Sequence, residues 1–125
     1  MDFRSALDTH LAALRSRDLA GFLATVANDD EVSLVMPNGA LVRGFSGVTD
    51  LHQAWFADPD WTLDAEILRT LETGEMALAL LLVDYRDLDA EGRPYQKRYY
   101  LSLVFAKRDD RWLLVHDQNT FTSPA

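Results

Sequence analysis

Cysteine is absent from this 125-residue chain. That excludes a disulfide, a thiolate nucleophile and any cysteine-ligated zinc. Long apolar runs are missing too. Nothing approaches the ~20 residues of a membrane-spanning helix, so no membrane is expected as a partner. A basic footprint is also lacking: acids outnumber bases by 20 to 12, giving a net charge of −8. Nucleic-acid binding needs the opposite balance, so no nucleic acid is expected. Lysines and arginines gather only at Arg15/Arg17, Lys97/Arg98 and Lys107/Arg108/Arg111, each beside acids or a predicted turn. The start of the chain has no basic-then-apolar leader; Asp2 and Arg4 open an amphipathic pattern instead, and a cytoplasmic location is expected. There is no Gly-x-Ser-x-Gly elbow, P-loop or dinucleotide fingerprint, so no cofactor is expected.

What is present is enough apolar residue, 48%, for one ordinary core, and one domain over residues 1–125 is expected. Phe3, Leu7, Leu11 and Leu14 recur at helical spacing. Asp18 is placed to cap a second helix whose apolar face is Leu19, Phe22, Leu23 and Val26. Glu31 to Met36 reads as a strand, Pro37-Asn38-Gly39 as a tight turn and Ala40 to Arg43 as a returning strand. A third helix, starting at Ser46 or Thr49, carries Val48, Leu51, His52, Trp55 and Phe56 on one side and ends before Pro59.

The second half is all strand. Trp61 to Leu71 alternates, and Met76 to Tyr85 is nearly continuously apolar, as for a strand buried on both faces. Tyr95 to Lys107 and Trp112 to Thr120 complete a meander. The grouping predicts an α+β fold: a cone-shaped α+β barrel in which three N-terminal helices pack on a strongly curved, mostly antiparallel sheet. Leu113, Val115, Val104 and Tyr100 fall on the far face, too much apolar surface to leave wet, so a homodimer through the outer sheet face is expected.

The chain resembles the nuclear transport factor 2-like superfamily, in its SnoaL-like and ketosteroid-isomerase-like branch. The carriers are Leu11-Ala12-Ala13-Leu14 with Asp18-Leu19, Pro37-Asn38-Gly39 with Arg43-Gly44, and the ending Trp112-Leu113-Leu114-Val115-His116-Asp117-Gln118-Asn119-Thr120. The association domain of calmodulin-dependent kinases has a similar ending. The resemblance implies the fold and leaves the activity open, because this superfold hosts cyclases, isomerases, hydratases and plain binding domains. In the isomerases a tyrosine precedes the helix-one motif, and here that position is His10. Their catalytic base corresponds to Met36, and their protonated aspartic acid falls near Leu103. Two of the three roles are thus held by apolar groups, so steroid-type isomerisation by that route is not expected.

The last strand turns polar midway. Trp112 and Leu114 suit an inner face, and the same parity continues through His116 and Gln118, so a pocket is expected there. A one-residue slip would exchange this set for Asp117 and Asn119. His10, His52 and His116 all lie at or beside apolar faces and are expected to converge. The expected acid–base groups are His116 and His10. The expected ligand contacts are Gln118, Tyr99, Trp55 and His52, and no metal is expected because no histidine pair has i, i+4 spacing. Asp84 is expected to pair with Lys97 or Arg98 across its hairpin. The composite expectation is a SnoaL-like domain that binds a small, partly apolar molecule, with general acid–base chemistry of the cyclase, isomerase or hydratase type. The alternative is a non-catalytic homodimeric association module.

Overall fold

The computed structural model describes residues 1–123. Helix α1 (Phe3–Arg15) begins where the Asp2 carboxylate accepts a bond from the Ser5 amide, and α2 (Leu19–Leu23) begins where Asp18 does the same for Gly21. Each cap satisfies an N–H that has no partner within the helix. Helix α3 (Gly44–Phe56) starts earlier than Ser46, without a side-chain cap. Its first amides donate outward: Gly44 to the Val32 carbonyl at 2.8 Å and Phe45 to the Asp29 carbonyl at 3.0 Å. Gly44, at φ +78°, makes the turn into the helix that a side chain would strain.

Six strands form one open sheet in the order β2-β1-β6-β5-β4-β3. They are β1 (Ser33–Val35), β2 (Leu41–Arg43), β3 (Thr62–Glu72), β4 (Met76–Leu88), β5 (Pro94–Arg108) and β6 (Arg111–Phe121). All neighbours are antiparallel except β1 and β6. Both short strands are joined by Pro37-Asn38-Gly39, with Gly39 at φ +91°. This is the α+β arrangement anticipated from element order. No helix among the described residues is long and apolar enough to cross a membrane.

One sheet face carries the core. Leu81, Leu103, Phe105 and Leu114 are fully buried against Phe3, Leu7 and Leu11 of α1. Trp112 and Phe105 both meet the Phe3 ring edge-on, at 5.5 and 5.4 Å, and fill the narrow end of the cone. The other face is only half-covered. In β4, Ala77, Ala79, Leu81 and Val83 are buried, whereas Leu78, Leu80 and Leu82 between them are half-exposed. The apolar run of β4 is therefore not buried on both faces within one chain.

Two bulges interrupt the ladder, at Leu68 in β3 and at Val115 in β6. In β6, Leu114 pairs with Phe105 but His116 pairs with Val104, so Val115 is the extra residue. Val115 and His116 both lie on the outer side, and Asp117, opposite the buried Leu103, returns to the inner side.

Candidate functional site

Between the helices and the inner sheet face lies a cavity of about 420 Å³. Its lining comes from every layer: His10 and Leu14 of α1, Phe22 of α2, His52 and Trp55 of α3, Tyr85 of β4, Tyr99 of β5, and Asp117 and Asn119 of β6. Met36, Pro37, Tyr95, Lys97 and Phe121 also line it. The expected contacts His10, His52, Trp55 and Tyr99 are brought together here.

His116 and Gln118 are not. Their expected inward direction is corrected by the Val115 bulge, which reverses side-chain parity after Leu114. On the outer side the His116 Nδ1 lies 2.7 Å from the Ser33 hydroxyl, and its Nε2 lies 3.2 Å from the Gln118 side-chain oxygen. Asp117 and Asn119 hold the inner positions instead. Asp84 also departs from expectation: it accepts from Gln96 at 2.6 Å and Arg86 at 3.5 Å, not from Lys97 or Arg98.

Asp117 is the distinctive group. It is buried, and burial pushes its carboxyl up to about 7 despite the opposing hydrogen bond from Asn119. The Asn119 amide donates to the Asp117 Oδ1 at 2.7 Å and to the Val35 carbonyl at 2.9 Å. Both amide hydrogens are thereby used, and the carboxyl is held in place through its Oδ1. A carboxyl that titrates near neutrality is suited to both giving and taking a proton. Tyr99, half-buried, has its hydroxyl pushed well above the ordinary tyrosine range by burial and by Asp117, so it remains a protonated donor.

The two inward histidines are neutral acceptors. Thr25 donates its only hydroxyl hydrogen to the Phe22 carbonyl at 2.6 Å, so its oxygen accepts from His10 Nδ1–H at 2.7 Å. His52 Nδ1–H donates to the Val48 carbonyl at 2.8 Å. In each ring Nε2 is therefore the unprotonated nitrogen. Burial, with His52 nearby, holds His10 down to about 3, and burial also lowers His52. Phe22 lies against both, 4.9 Å from the His10 ring and stacked at 4.2 Å on His52. His10 thus offers a hydrogen-bond acceptor more readily than a base at neutral pH.

The wall toward the mouth is aromatic. Trp55 stacks on Trp61 at 4.2 Å, and its Nε1 donates to the Tyr85 hydroxyl at 3.2 Å. Tyr85 passes the chain on to Asp87 at 2.7 Å. Burial opposes charge on Asp87, yet hydrogen bonds from Tyr85 and the Leu88 amide hold its carboxyl below the usual range. Arg17 lies 4.2 Å over the Trp61 ring and donates to the carbonyls of Asp58, Pro59 and Trp61, which fixes the loop after α3. Sequence reading passed over Thr25, which orients His10, and the Tyr85-x-Asp87 pair. The available signal for that pair was polarity at alternate positions ending the apolar run of β4. No group of three or more potential metal-ligating side chains occurs among the described residues.

The positions implied by the isomerase resemblance fall on the inner side of the sheet. His10 and Met36 line the cavity, and Leu103 is buried directly opposite Asp117. An acidic side chain therefore stands close to where the resemblance puts a protonated aspartic acid, supplied by the neighbouring strand.

Known structures share this architecture. A ketosteroid isomerase-like protein from Erwinia carotovora atroseptica superposes with a TM-score of 0.81 at 17% identity, over 97% of this chain and 94% of that one. A nuclear transport factor 2 (NTF2-like) superfamily protein from Salmonella enterica serovar Typhimurium gives 0.79 at 16% identity, over 97% and 89%. The association domain of C. elegans CaMKII gives 0.68 at 20% identity, over 95% and 92%. At these identities the likeness is one of fold. No curated protein matches the chain significantly. The SnoaL-like domain family matches residues 4–123, nearly the whole chain, and with the cone-shaped architecture this places the protein in the SnoaL-like domain family, with a nuclear transport factor 2-like fold.

Proposed function

We propose that the cavity binds a small, largely apolar molecule and that Asp117 transfers a proton to or from it. The observation that carries this reading is one buried carboxyl, titrating at about 7, on the wall of an aromatic and aliphatic cavity. Apolar walls with a few convergent polar groups are what such sites use for orientation. Tyr99 supplies a donor, and the Nε2 atoms of His10 and His52 supply acceptors. Together they suit a ligand carbonyl or hydroxyl whose adjacent C–H bond is made acidic. The reaction class is proton transfer of the isomerase, hydratase or cyclase type, with Asp117 in the acid–base role and His10 as a positioning acceptor.

The test is catalysed exchange of the α-hydrogens of 1-indanone in D2O, followed by proton NMR. The expected result is exchange that varies with pH around 7 and falls at least ~100-fold in Asp117→Asn, the usual contribution of such a group. Equal exchange by the wild type and Asp117→Asn would remove the catalytic assignment.

A second reading is favoured by a separate observation, the half-exposed apolar face formed by Leu78, Leu80, Leu82, Val104, Leu113 and Val115. A second copy of the chain on that face supports an association role, as borne by the C. elegans domain of similar fold. The two readings use opposite faces of the sheet and are compatible. Pure association predicts no thermal stabilisation by any hydrophobic ketone, together with a stable dimer.

A further inference from the structure

Lys97 is the one cationic side chain lining the cavity among the described residues. It lies on the exposed end of β5, in register with Tyr85 of β4, and its ammonium sits 5.7 Å from the centre of the Phe121 ring. Asp84, the acid expected to pair with it, and Asp87 nearby on the same strand are both engaged elsewhere. Asp84 takes Gln96 and Arg86, and Asp87 takes Tyr85 and the Leu88 amide. No carboxylate lies within 4.0 Å of the Lys97 ammonium among the described residues. Among the described residues only Arg4, Arg86 and Arg108 have an acid within 4.0 Å, so what sets Lys97 apart is its place at the rim of an apolar cavity.

The two ends of the cavity differ in kind. The inner end has Asp117 and two neutral imidazoles whose free nitrogens accept hydrogen bonds, so it repels an anion. The outer end has an ammonium over an aromatic face. Lys97 is six positions along β5 from Leu103, which stands opposite Asp117; at extended spacing that is about 20 Å between α-carbons. With the lysine stem leaning inward, roughly 10–15 Å is left for a ligand body. A single lysine is a point charge, suited to a monoanion. A phosphate more often draws several donors or a planar arginine fork.

We propose that the cavity takes an apolar monocarboxylate, entering body-first, with its carboxylate paired to Lys97 at the mouth and its far end beside Asp117. The proposal rests on the cavity reading above and adds the class of molecule and its direction. Lys97 is then the specificity-determining residue for the head group.

The experiment compares octanoate, 1-octanol and octylamine, three probes of one chain length, by calorimetric titration of the wild type, Lys97→Met, Lys97→Arg and Lys97→Glu. Lys97 is exposed at the rim, so the variants are expected to melt with the wild type, and the arginine variant keeps the charge. The wild type should prefer octanoate over 1-octanol by about fivefold, the scale of a partly exposed ion pair. Lys97→Arg should retain the preference, Lys97→Met should bind the two alike, and Lys97→Glu should favour octylamine. Raising sodium chloride to 0.5 M should shrink the preference. Equal binding of octanoate and 1-octanol by the wild type, or a preference that survives Lys97→Met, overturns the head-group proposal while leaving the cavity reading standing. No binding of any probe overturns both.

Discussion

Burial acts on Asp117 and His10 in opposite senses. The folded carboxyl titrates at about 7 against 3.8 for a free aspartate, so folding favours its protonated form. That stabilisation is complete below pH 3.8 and is lost as pH rises through about 7. His10 titrates at about 3 against 6.5, so folding favours its neutral form; its contribution is complete above pH 6.5 and is lost as pH falls toward 3. Each shift corresponds to several kcal/mol, at about 1.4 kcal/mol per unit. Between pH 4 and 6.5 the two slopes oppose, and the wild type should show a shallow dependence there. Asp117→Asn removes one slope. Urea unfolding at pH 4.5, 6.0 and 7.5 should show this variant gaining stability relative to wild type at each step upward. A constant difference across the three would mean that the carboxyl is not buried as described. His10, His52, Trp55 and Tyr99 were legible as cavity residues because helical periodicity and unbroken strand parity fix their direction. Asp117 was not, because its direction depends on a residue that no alternation pattern reveals.

That residue is Val115, and its effect belongs to the strand as an element. The sequence from Trp112 to Thr120 reads as one regular strand, and reading it so carries the inner face from Leu114 to His116. A bulge adds a residue on one strand with no partner on the other, and nothing in the Leu114-Val115-His116 run marks it by composition. Its energetic reason is visible only in three dimensions: Leu114 must cover Phe105 and Leu103 must face an inner residue, while β1 locks Ser33 to His116 and Leu34 to Asp117 on the other edge. The helix caps show the contrary case. Asp2 and Asp18 act through residues three positions ahead, so local sequence suffices for them, whereas α3 starts on carbonyls from Val32 and Asp29 and its boundary was missed. The bulge yields a prediction. Deleting Val115 leaves Leu114 opposite Phe105 and His116 opposite Val104, so Asp117 keeps its inner position. This deletion should fold and keep a carboxyl that titrates near 7 by carbon-13 NMR. Deleting Leu113 instead shifts Trp112 off the inner face and should abolish cooperative unfolding. If both deletions behaved alike, the bulge would not be setting the site.

At the scale of the whole molecule, the sheet divides two tasks between its faces. The inner face carries a continuous core that opens into the cavity, and the outer face carries leucines and valines that one chain leaves half-exposed, with Tyr100 at 43%. Element order made the α+β layering legible, since three helices followed by a meander have few ways to cover one sheet face. The proposed pairing of two copies through the outer face would need about 800 Å² from each. Val104 lies near the middle of that face, opposite His116. Val104→Glu would place two like charges into the proposed contact between copies, where an unpaired buried charge costs about 3–5 kcal/mol, or more than ~100-fold in dissociation constant. Light scattering after gel filtration should find the wild type as a dimer and Val104→Glu as a monomer. The monomer should still show the Asp117 titration near 7, because the inner face owes nothing to the partner. A wild type that runs as a monomer at tens of micromolar would remove the dimer. Loss of the titration together with the dimer would instead show that the two faces are coupled, with pairing across the outer leucines holding the sheet in the shape that buries Asp117.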